Sequence, residues 1–373
     1  MNGKSSTAAS GRPSASAVAG RRQRLRAALV DQGLDLLLVS QPANERYLSG
    51  FTGDNGMLLV TADTFLLVTD SRYTIQAAEE TVDTPVVQCD PRMMQSVAEQ
   101  IRALSVKRLG FEADHLVYSQ YEDLRAALPE VELVPTRGIV NAQRAVKDAG
   151  ELALLRRAVA ISDQAFAEVS TEIRPGMTER EVARRIEARM VDLGAEAPAF
   201  PTIVATGRHG AMAHATPDDR VIGEGEPLVI DMGARYAGYN SDMTRTLILG
   251  PPTAQFKEIY NLVLRANLTA EAAARAGLSG QAIDAAARDV IKAAGHGDHF
   301  GHGTGHGIGI EVHEAPRLSV SAGDQPIAAD VPITIEPGVY LEEWGGVRIE
   351  DIVLVGPAGA EVLTQAPKHP YYD

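Results

Sequence analysis

Acidic side chains occur at matched places in two β-hairpin patterns in the carboxyl-terminal half of the chain. In the first, apolar runs at Leu228–Ile230 and Thr246–Leu249 flank a turn that contains glycine, which predicts two antiparallel strands. Asp231 follows the first run and Asp242 lies on the returning strand, so a hairpin brings the two carboxylates together. Unpaired buried carboxylates are costly, so this pattern predicts a cation between them, although turn residues that face water are the alternative.

The second hairpin pattern repeats the first. Glu336 directly follows Ile-Thr-Ile, as Asp231 follows Leu-Val-Ile. Glu350 lies on the return strand of the second hairpin, as Asp242 lies on that of the first. The match indicates two related half-domains whose carboxylates converge on one point. The alternative is a set of independent acids that face solvent.

A glycine-rich segment before the second hairpin supplies imidazoles. Residues 300–316 contain His302, His306 and His313 among alternating glycines. The segment could also be a flexible loop or a phosphate cradle, but it lacks the Lys and the Ser/Thr of a P-loop. Carboxylates with one imidazole form a ligand set dominated by oxygen, which suits Mn²⁺ or Co²⁺, and two ions balance the negative charge better than one. Such a site predicts hydrolysis, because paired ions activate water and polarise a carbonyl or phosphoryl oxygen.

Other catalytic schemes explain less of the sequence. The chain has no Gly-x-Ser-x-Gly motif, and Cys89 lies where no ligands or nucleophiles gather, so a serine or cysteine nucleophile is disfavoured. A glycosidase with paired carboxylates would leave the other two acids and the glycine-rich segment unexplained.

Composition bounds the class of protein. The chain has 373 residues, of which 45% are hydrophobic and 23% are charged, as in globular proteins of more than one domain. Its net charge of −14 argues against nucleic acid as a partner. Its single cysteine fits a reducing compartment, and no apolar run reaches the length of a membrane span, so we expect a cytoplasmic protein.

The order of elements predicts two domains behind a short leader. Residues 1–20 are rich in Ser, Ala and Gly and are predicted to be a disordered leader. Strands and helices alternate over residues 21–140, which predicts an α/β domain. Residues 148–373 carry the duplicated pattern of helices and hairpins, an α+β arrangement that we expect to be the catalytic domain.

Short motifs around these residues resemble a known family. The sequences DMG, SDMTRT, HGTGHGIG, IEPG and RIED look like those of the pita-bread metallopeptidases, which include Xaa-Pro aminopeptidases, prolidases and methionine aminopeptidases. The resemblance spans about residues 148–368. In the preceding region, YLSGF and TDSRYTIQA resemble the creatinase-type N-terminal domain of the proline-specific branch. The resemblance therefore implies a pita-bread catalytic domain with a smaller creatinase-like α/β domain.

The resemblance also implies a role for each metal ligand. Asp231 would chelate one metal ion, and His306 and Glu336 would bind the other. Asp242 and Glu350 would bridge both ions. Glu336 would in addition carry the proton of the attacking water.

Further residues match family positions around the substrate. His313 matches the histidine that contacts the scissile carbonyl oxygen and stabilises the tetrahedral intermediate. His214 matches a histidine of the substrate site, although Ala213 stands before it where relatives often have proline. His302 matches a histidine of the proline-specific branch, and Arg348 matches an arginine beside the last ligand.

The expected function is removal of the N-terminal residue from peptides with proline in second position. A prolidase that cleaves only Xaa-Pro dipeptides is the alternative, and a peptide-binding pita-bread module without activity is a third hypothesis. We expect two divalent ions, Mn²⁺ before Co²⁺ or Zn²⁺, peptide substrates, and no nucleic-acid or membrane partner. The family resemblance implies a homodimer.

Overall fold

The computed structural model describes residues 13–89, 92–369 and 371. The chain divides into two compact units, residues 1–144 and residues 145–373. Each unit has its own sheets and its own hydrophobic core.

The first unit is built around one sheet of six strands. Its helices, the last of which ends at the boundary between the units, are α1 (Ala15–Asp31), α2 (Pro42–Ser49), α3 (Thr74–Glu80), α4 (Met93–Ala103), α5 (Tyr118–Ala127) and α6 (Ile139–Ala145). Its strands are β1 (Leu36–Val39), β2 (Gly56–Thr61), β3 (Phe65–Thr69), β4 (Val86–Gln88), β5 (Arg108–Glu112) and β6 (Glu132–Thr136). The order across the sheet is β4-β3-β2-β1-β5-β6, and only β2 runs antiparallel to its neighbours among these strands.

The prediction of a disordered leader is wrong for the last residues of that segment. Residues 1–12 lie outside the described part of the chain, but α1 begins at Ala15. The Ser14 hydroxyl accepts a hydrogen bond from the amide of Ala17 at 3.2 Å and caps the helix. Val18 is buried at 1% exposure, so tertiary packing orders a stretch whose small residues suggested disorder.

The second unit contains two successive sets of helices and strands. The first set is α7 (Ala149–Val169), α8 (Glu179–Asp192), β7 (Ala197–Pro198), β8 (Ile203–Thr206), β9 (Pro227–Met232), β10 (Ala234–Tyr236), β11 (Tyr239–Asn240) and β12 (Met243–Ile248). The second set is α9 (Ala254–Ala273), α10 (Gly280–Ala293), β13 (Gly305–Gly307), β14 (Glu314–Leu318), β15 (Val331–Ile335), β16 (Gly338–Leu341), β17 (Gly345–Arg348), β18 (Asp351–Val355) and β19 (Ala360–Val362).

The strand pairing confirms the two predicted hairpins. Strand β9 pairs antiparallel with β12, and β15 pairs antiparallel with β18. The first hairpin turns at Ala237 and Gly238, where φ is +49° and +76°. Glycine adopts this left-handed region without strain, whereas alanine does so at a cost.

The helix entries of the two sets also correspond. The Thr178 hydroxyl accepts from the amide of Glu181 at 3.1 Å, and the Ser279 hydroxyl accepts from the amide of Ala282 at 3.2 Å. In each set, buried aliphatic residues of the paired helices pack on the hairpin strands.

Among the described residues, no helix is both long enough and apolar enough to span a bilayer.

One carboxylate in the first unit is buried, although a carboxylate normally faces water or has a hydrogen-bond partner. Glu45 on α2 is 1% exposed, and neither of its carboxylate oxygens has a hydrogen-bond partner in the described structure. Burial and the nearby negative charge of Glu112 raise the pKa of Glu45 to about 8. The folded chain therefore holds a proton that the unfolded chain releases above its ordinary pKa of 4.5. Because the folded-state pKa is raised, stability falls as pH rises between about 4.5 and 8.

Glu45→Gln should remove this dependence on pH, because an amide does not titrate. Between pH 5.5 and 7.5 the parent should lose about 2–3 kcal/mol more unfolding free energy than Glu45→Gln does. Urea unfolding of the full chain at both pH values measures the difference. Glu132→Gln, which alters an exposed ion pair with Arg108, is the control and should follow the parent. Parallel pH profiles for the parent and Glu45→Gln would contradict a protonated Glu45.

Candidate metal centre

One cavity of about 650 Å³ in the second unit collects every residue that the sequence singled out for chemistry. It lies where the ends of the two hairpins meet the glycine-rich segment. The predicted residues that line it are His214, Asp231, Asp242, His302, His306, His313, Glu336, Arg348 and Glu350. The duplicated hairpins therefore present their acids to one common space.

The imidazole of His306 faces the acids. Its Nε2 lies 3.3 Å from Oε1 of Glu336 and 3.8 Å from Oδ2 of Asp242. One ligand atom each from Asp242, His306 and Glu350 lie within 4.8 Å of one another. The other ring nitrogen, Nδ1, lies 3.0 Å from the carbonyl oxygen of Gly307. Donation from Nδ1 to that carbonyl leaves the Nε2 lone pair free to bind a cation.

Thr244 joins the two hairpins at the centre of the site. It lies on β12 opposite Asp231 and is fully buried. Its hydroxyl donates to Oε2 of Glu350 at 2.7 Å and accepts from Nε of Arg348 at 3.0 Å. The amide of Glu350 donates to the Thr244 carbonyl at 3.1 Å. One threonine thus fixes both the backbone and the carboxylate of an acid from the other half of the unit.

Arg348 pairs with only one oxygen of Asp231. Its guanidinium donates to Oδ2 of Asp231 at 2.7 Å, and only 3% of the arginine side chain is exposed. The second oxygen, Oδ1 of Asp231, is buried without a hydrogen-bond partner in the described structure. A buried carboxylate oxygen in this state is suited to a cation.

The electrostatics of the carboxylates also favour a cation. Burial raises the pKa of Asp231, and burial together with neighbouring acids raises the pKa values of Asp242 and Glu350 well above the ordinary range. Burial opposes ionisation of Glu336 as well, but its contacts with His306 hold its pKa below the usual value. These acids repel one another across one cavity, so divalent ions fit the donor set.

His302 lies beside the acids and forms hydrogen bonds with two uncharged groups. Its Nδ1 lies 2.8 Å from the Gly303 carbonyl oxygen, and its Nε2 lies 2.8 Å from the hydroxyl of Tyr340. Burial lowers the pKa of His302, which favours the neutral ring. Arg348 donates to the same Tyr340 hydroxyl at 2.8 Å, so the tyrosine connects the histidine to the arginine.

Two further histidines lie at the mouth of the cavity. The ring of His313 lies 4.3 Å from that of His306, measured between centroids. Partial burial and the nearby charges of His306 and Arg317 lower the pKa of His313. His214 is exposed, and the carbonyl of the preceding Ala213 accepts from Arg348 at 3.3 Å. Both imidazoles can therefore approach a ligand from the solvent side.

Three residues of this site lay outside the sequence prediction. Thr244 and Tyr340 join elements that are distant in sequence, and no local pattern reveals such contacts. Arg317 lines the cavity four residues after His313, as an exposed cation on β14. Because Arg317 follows the predicted site residue His313 by only four positions, the sequence could have identified it as a candidate.

A second cluster of potential ligands is already satisfied. Glu179, His209 and Asp218 bring ligand atoms together elsewhere in the second unit. Glu179 accepts from Nδ1 of His209 at 2.8 Å, from the amide of Thr206 at 2.8 Å and from the amide of Asp218 at 3.2 Å. Its carboxylate has the donors that it needs, so this cluster explains local structure better than metal binding.

Comparisons with known proteins agree with this geometry. Residues 153–357 match the model of metallopeptidase family M24, and residues 21–146 match that of the creatinase/prolidase N-terminal domain. An uncharacterized peptidase of Bacillus subtilis is 38% identical over 346 residues, which cover 93% of this chain and 98% of the relative. These matches confirm the resemblance predicted from the sequence motifs.

Solved structures confirm the predicted fold class. An Xaa-Pro dipeptidase from Bacillus anthracis superposes with a TM-score of 0.91 at 40% identity, covering 94% of this chain and 99% of that one. An X-Pro aminopeptidase from Thermotoga maritima gives 0.85 at 38% identity, with 94% and 99% covered. The second unit therefore has the pita-bread fold, and the first has the creatinase-type fold.

Thr244→Val tests whether the hydroxyl between Arg348 and Glu350 prepares the site for metal. Thr246→Val is the matched control, because the Thr246 hydroxyl bonds only the backbone of Arg348 in the described structure. Each variant should lose about 1–2 kcal/mol of stability, which is typical for a buried hydrogen bond. Only Thr244→Val should also show a smaller rise in Tm when Mn²⁺ is added to metal-free protein. An equal metal-induced rise in both variants would argue against this role.

Proposed function

The chain belongs to metallopeptidase family M24, and on that premise we propose that it hydrolyses the peptide bond that precedes a proline. The observation that carries the proposal is the single cavity in which Asp231, Asp242, His306, Glu336 and Glu350 converge. A site of this composition suits hydrolysis better than a passive binding module, because its acids are suited to hold divalent ions.

We assign the ligands as the family resemblance implies. Asp231 would hold one divalent ion, His306 and Glu336 the other, and Asp242 and Glu350 both. When bound, such ions supply an activated water and polarise the scissile carbonyl. Mn²⁺ is the proposed metal, with Co²⁺ or Zn²⁺ as alternatives, since oxygen donors dominate the set.

The protein side chains would position the substrate and move protons. Glu336 would take the proton from the attacking water and pass it to the leaving amine. His313, a largely neutral ring at the cavity mouth, would donate a hydrogen bond to the oxygen of the tetrahedral intermediate. His214 would also contact the substrate, and Arg348 would keep Asp231 in place. His302, which is held by Tyr340, would shape the wall of the cavity.

Proline specificity is consistent with the walls of the cavity. Phe200, Ile203, Val312 and Leu318 provide apolar lining beside the acids. A proline ring buries apolar surface there without the need to satisfy an amide N–H, which the imide bond lacks. A general peptide would bring that N–H into the same surroundings.

Arg317 favours dipeptides over longer peptides. From the sequence, an aminopeptidase is the first expectation and a prolidase the second. The exposed guanidinium of Arg317 lines the cavity and can bind the free carboxylate of an Xaa-Pro dipeptide in a bidentate manner. Relatives named both Xaa-Pro dipeptidase and X-Pro aminopeptidase match the chain, so the aminopeptidase stays the second candidate. A homodimer, which the family resemblance implies, and a cytoplasmic location, which the composition suggests, remain predictions.

A paired substrate test isolates the role of Arg317. An Xaa-Pro dipeptide should be cleaved with about 10–100-fold higher kcat/KM than the same dipeptide with an amidated C-terminus, because a charge-assisted hydrogen bond contributes about 1.5–3 kcal/mol. Arg317→Met should remove most of that preference. Arg180→Met, which changes an exposed arginine paired with Asp219, should leave it intact. Equal or better cleavage of Xaa-Pro-Yaa tripeptides would favour the aminopeptidase instead.

Isosteric changes at the two bridging acids test the ligand assignment. Asp242→Asn and Glu350→Gln should lose bound metal and peptide hydrolysis together, because each amide removes a charge that both ions need. Metal content by mass spectrometry and an Xaa-Pro assay on the same sample measure both losses. Glu361→Gln, at an exposed pair with Arg156, is the control. Parental metal content with full turnover in either variant would refute the bridging roles.

A further inference from the structure

A buried polar network lies behind the strands that carry the carboxylates. Its members do not line the cavity. They come from α9, from β12, from the start of β18 and from the segment that follows β19, and they are Arg245, Asn267, Glu271, Asp351 and Lys368. The network includes the cations Arg245 and Lys368 and the acids Glu271 and Asp351.

Asn267 contacts the backbone next to two of the proposed ligands. Its side chain is fully buried on α9. The amide nitrogen Nδ2 donates to the carbonyl of Ile335 at 2.9 Å and to the carbonyl of Ile349 at 3.3 Å. Ile335 directly precedes Glu336, and Ile349 directly precedes Glu350. One amide therefore connects the two strand ends from which these carboxylates project.

Lys368 determines which way the Asn267 amide points. Its ammonium donates to Oδ1 of Asn267 at 2.7 Å, to Glu271 at 2.6 Å and to Asp351 at 2.6 Å. A lysine ammonium is only a donor, so the oxygen of the amide must face it and the NH₂ group must face the two carbonyls. All three ammonium protons have acceptors in this arrangement.

Arg245 extends the same support to the first hairpin. It lies on β12, three residues after Asp242, and is 1% exposed. Its guanidinium donates to the carbonyl of Glu350 at 2.6 Å, to Asp351 at 2.7 Å and to the carbonyl of Ala366 at 2.6 Å. The backbone of Glu350 is thus held both at its own carbonyl and at that of the preceding residue.

We propose that Asn267, oriented by Lys368, is a positioning residue that sets the spacing between the Glu336 and Glu350 carboxylates for metal binding. The inference rests on the ligand assignment proposed above. A carboxylate is placed by its backbone, and outer contacts that orient ligands typically change metal affinity by about 10–100-fold when they are removed. Asn267 touches neither the substrate cavity nor the carboxylates themselves, so it acts only through the strands.

Asn267→Asp is the direct test, because it keeps the shape of the side chain and an oxygen for Lys368 but removes the N–H groups that bind both carbonyls. The matched control is Asn261→Asp on the same helix, where the amide bonds only the backbone of Tyr371 in the described structure. Lys368→Met is a second variant, which frees the Asn267 amide to rotate and serves if Asn267→Asp does not fold.

The readouts are Mn²⁺ affinity of metal-free protein by calorimetry, and kcat and KM for an Xaa-Pro dipeptide. Asn267→Asp should weaken Mn²⁺ binding about 10–100-fold and lower kcat, with KM within about threefold of the parent. Asn261→Asp should keep the parental values. Parental Mn²⁺ affinity and kcat in Asn267→Asp, or an equal loss in Asn261→Asp, would overturn the inference alone. A parent that binds no divalent metal would overturn the ligand assignment and this inference together.

Discussion

The repulsion among four neighbouring carboxylates, two of them buried and two half-buried, is the constraint on which the rest of the second unit depends. Asp231, Asp242, Glu336 and Glu350 line one cavity, and three of them have raised pKa values because they are buried close to one another. Such a group is costly unless cations occupy the space between them. The same arrangement suits hydrolytic chemistry, since cations held between the carboxylates would also activate water.

The surrounding structure supports this cluster from two sides. On the cavity side, Arg348 neutralises one oxygen of Asp231 and Thr244 holds Glu350. Behind the strands, Arg245 and the Asn267 amide bind backbone carbonyls, so these two contacts occupy no carboxylate oxygen. The contacts behind the strands therefore leave the carboxylate oxygens available for metal, whereas Arg348 and Thr244 each occupy one such oxygen.

The sequence predicted those features of the structure that depend on local patterns of residues. The positions of Asp231 and Glu336 directly after apolar runs, and the duplicated order of elements, follow from short-range rules of strand and helix formation. Contacts between distant segments could not be predicted in this way. Asn267 is an ordinary polar residue within a helical pattern, and only the folded chain brings its amide to two strand ends.

The same limit explains the error at the start of the chain. A stretch rich in Ala and Ser favours disorder by composition, but buried Val18 and the cap at Ser14 start a helix within it. At Glu45 the helical pattern of α2 gives no sign that the carboxylate lacks a partner. Tertiary burial decided the outcome in both places, and no window of local sequence contains that information.

The central claim is a dinuclear site, and the stoichiometry of metal binding tests it most directly. Calorimetric titration of metal-free protein with Mn²⁺, at protein concentrations well above the dissociation constants, counts the ions that bind to each chain. Two ions should bind to each chain, because two divalent charges balance four carboxylates. Saturation at one ion, or no saturable binding at all, would contradict it.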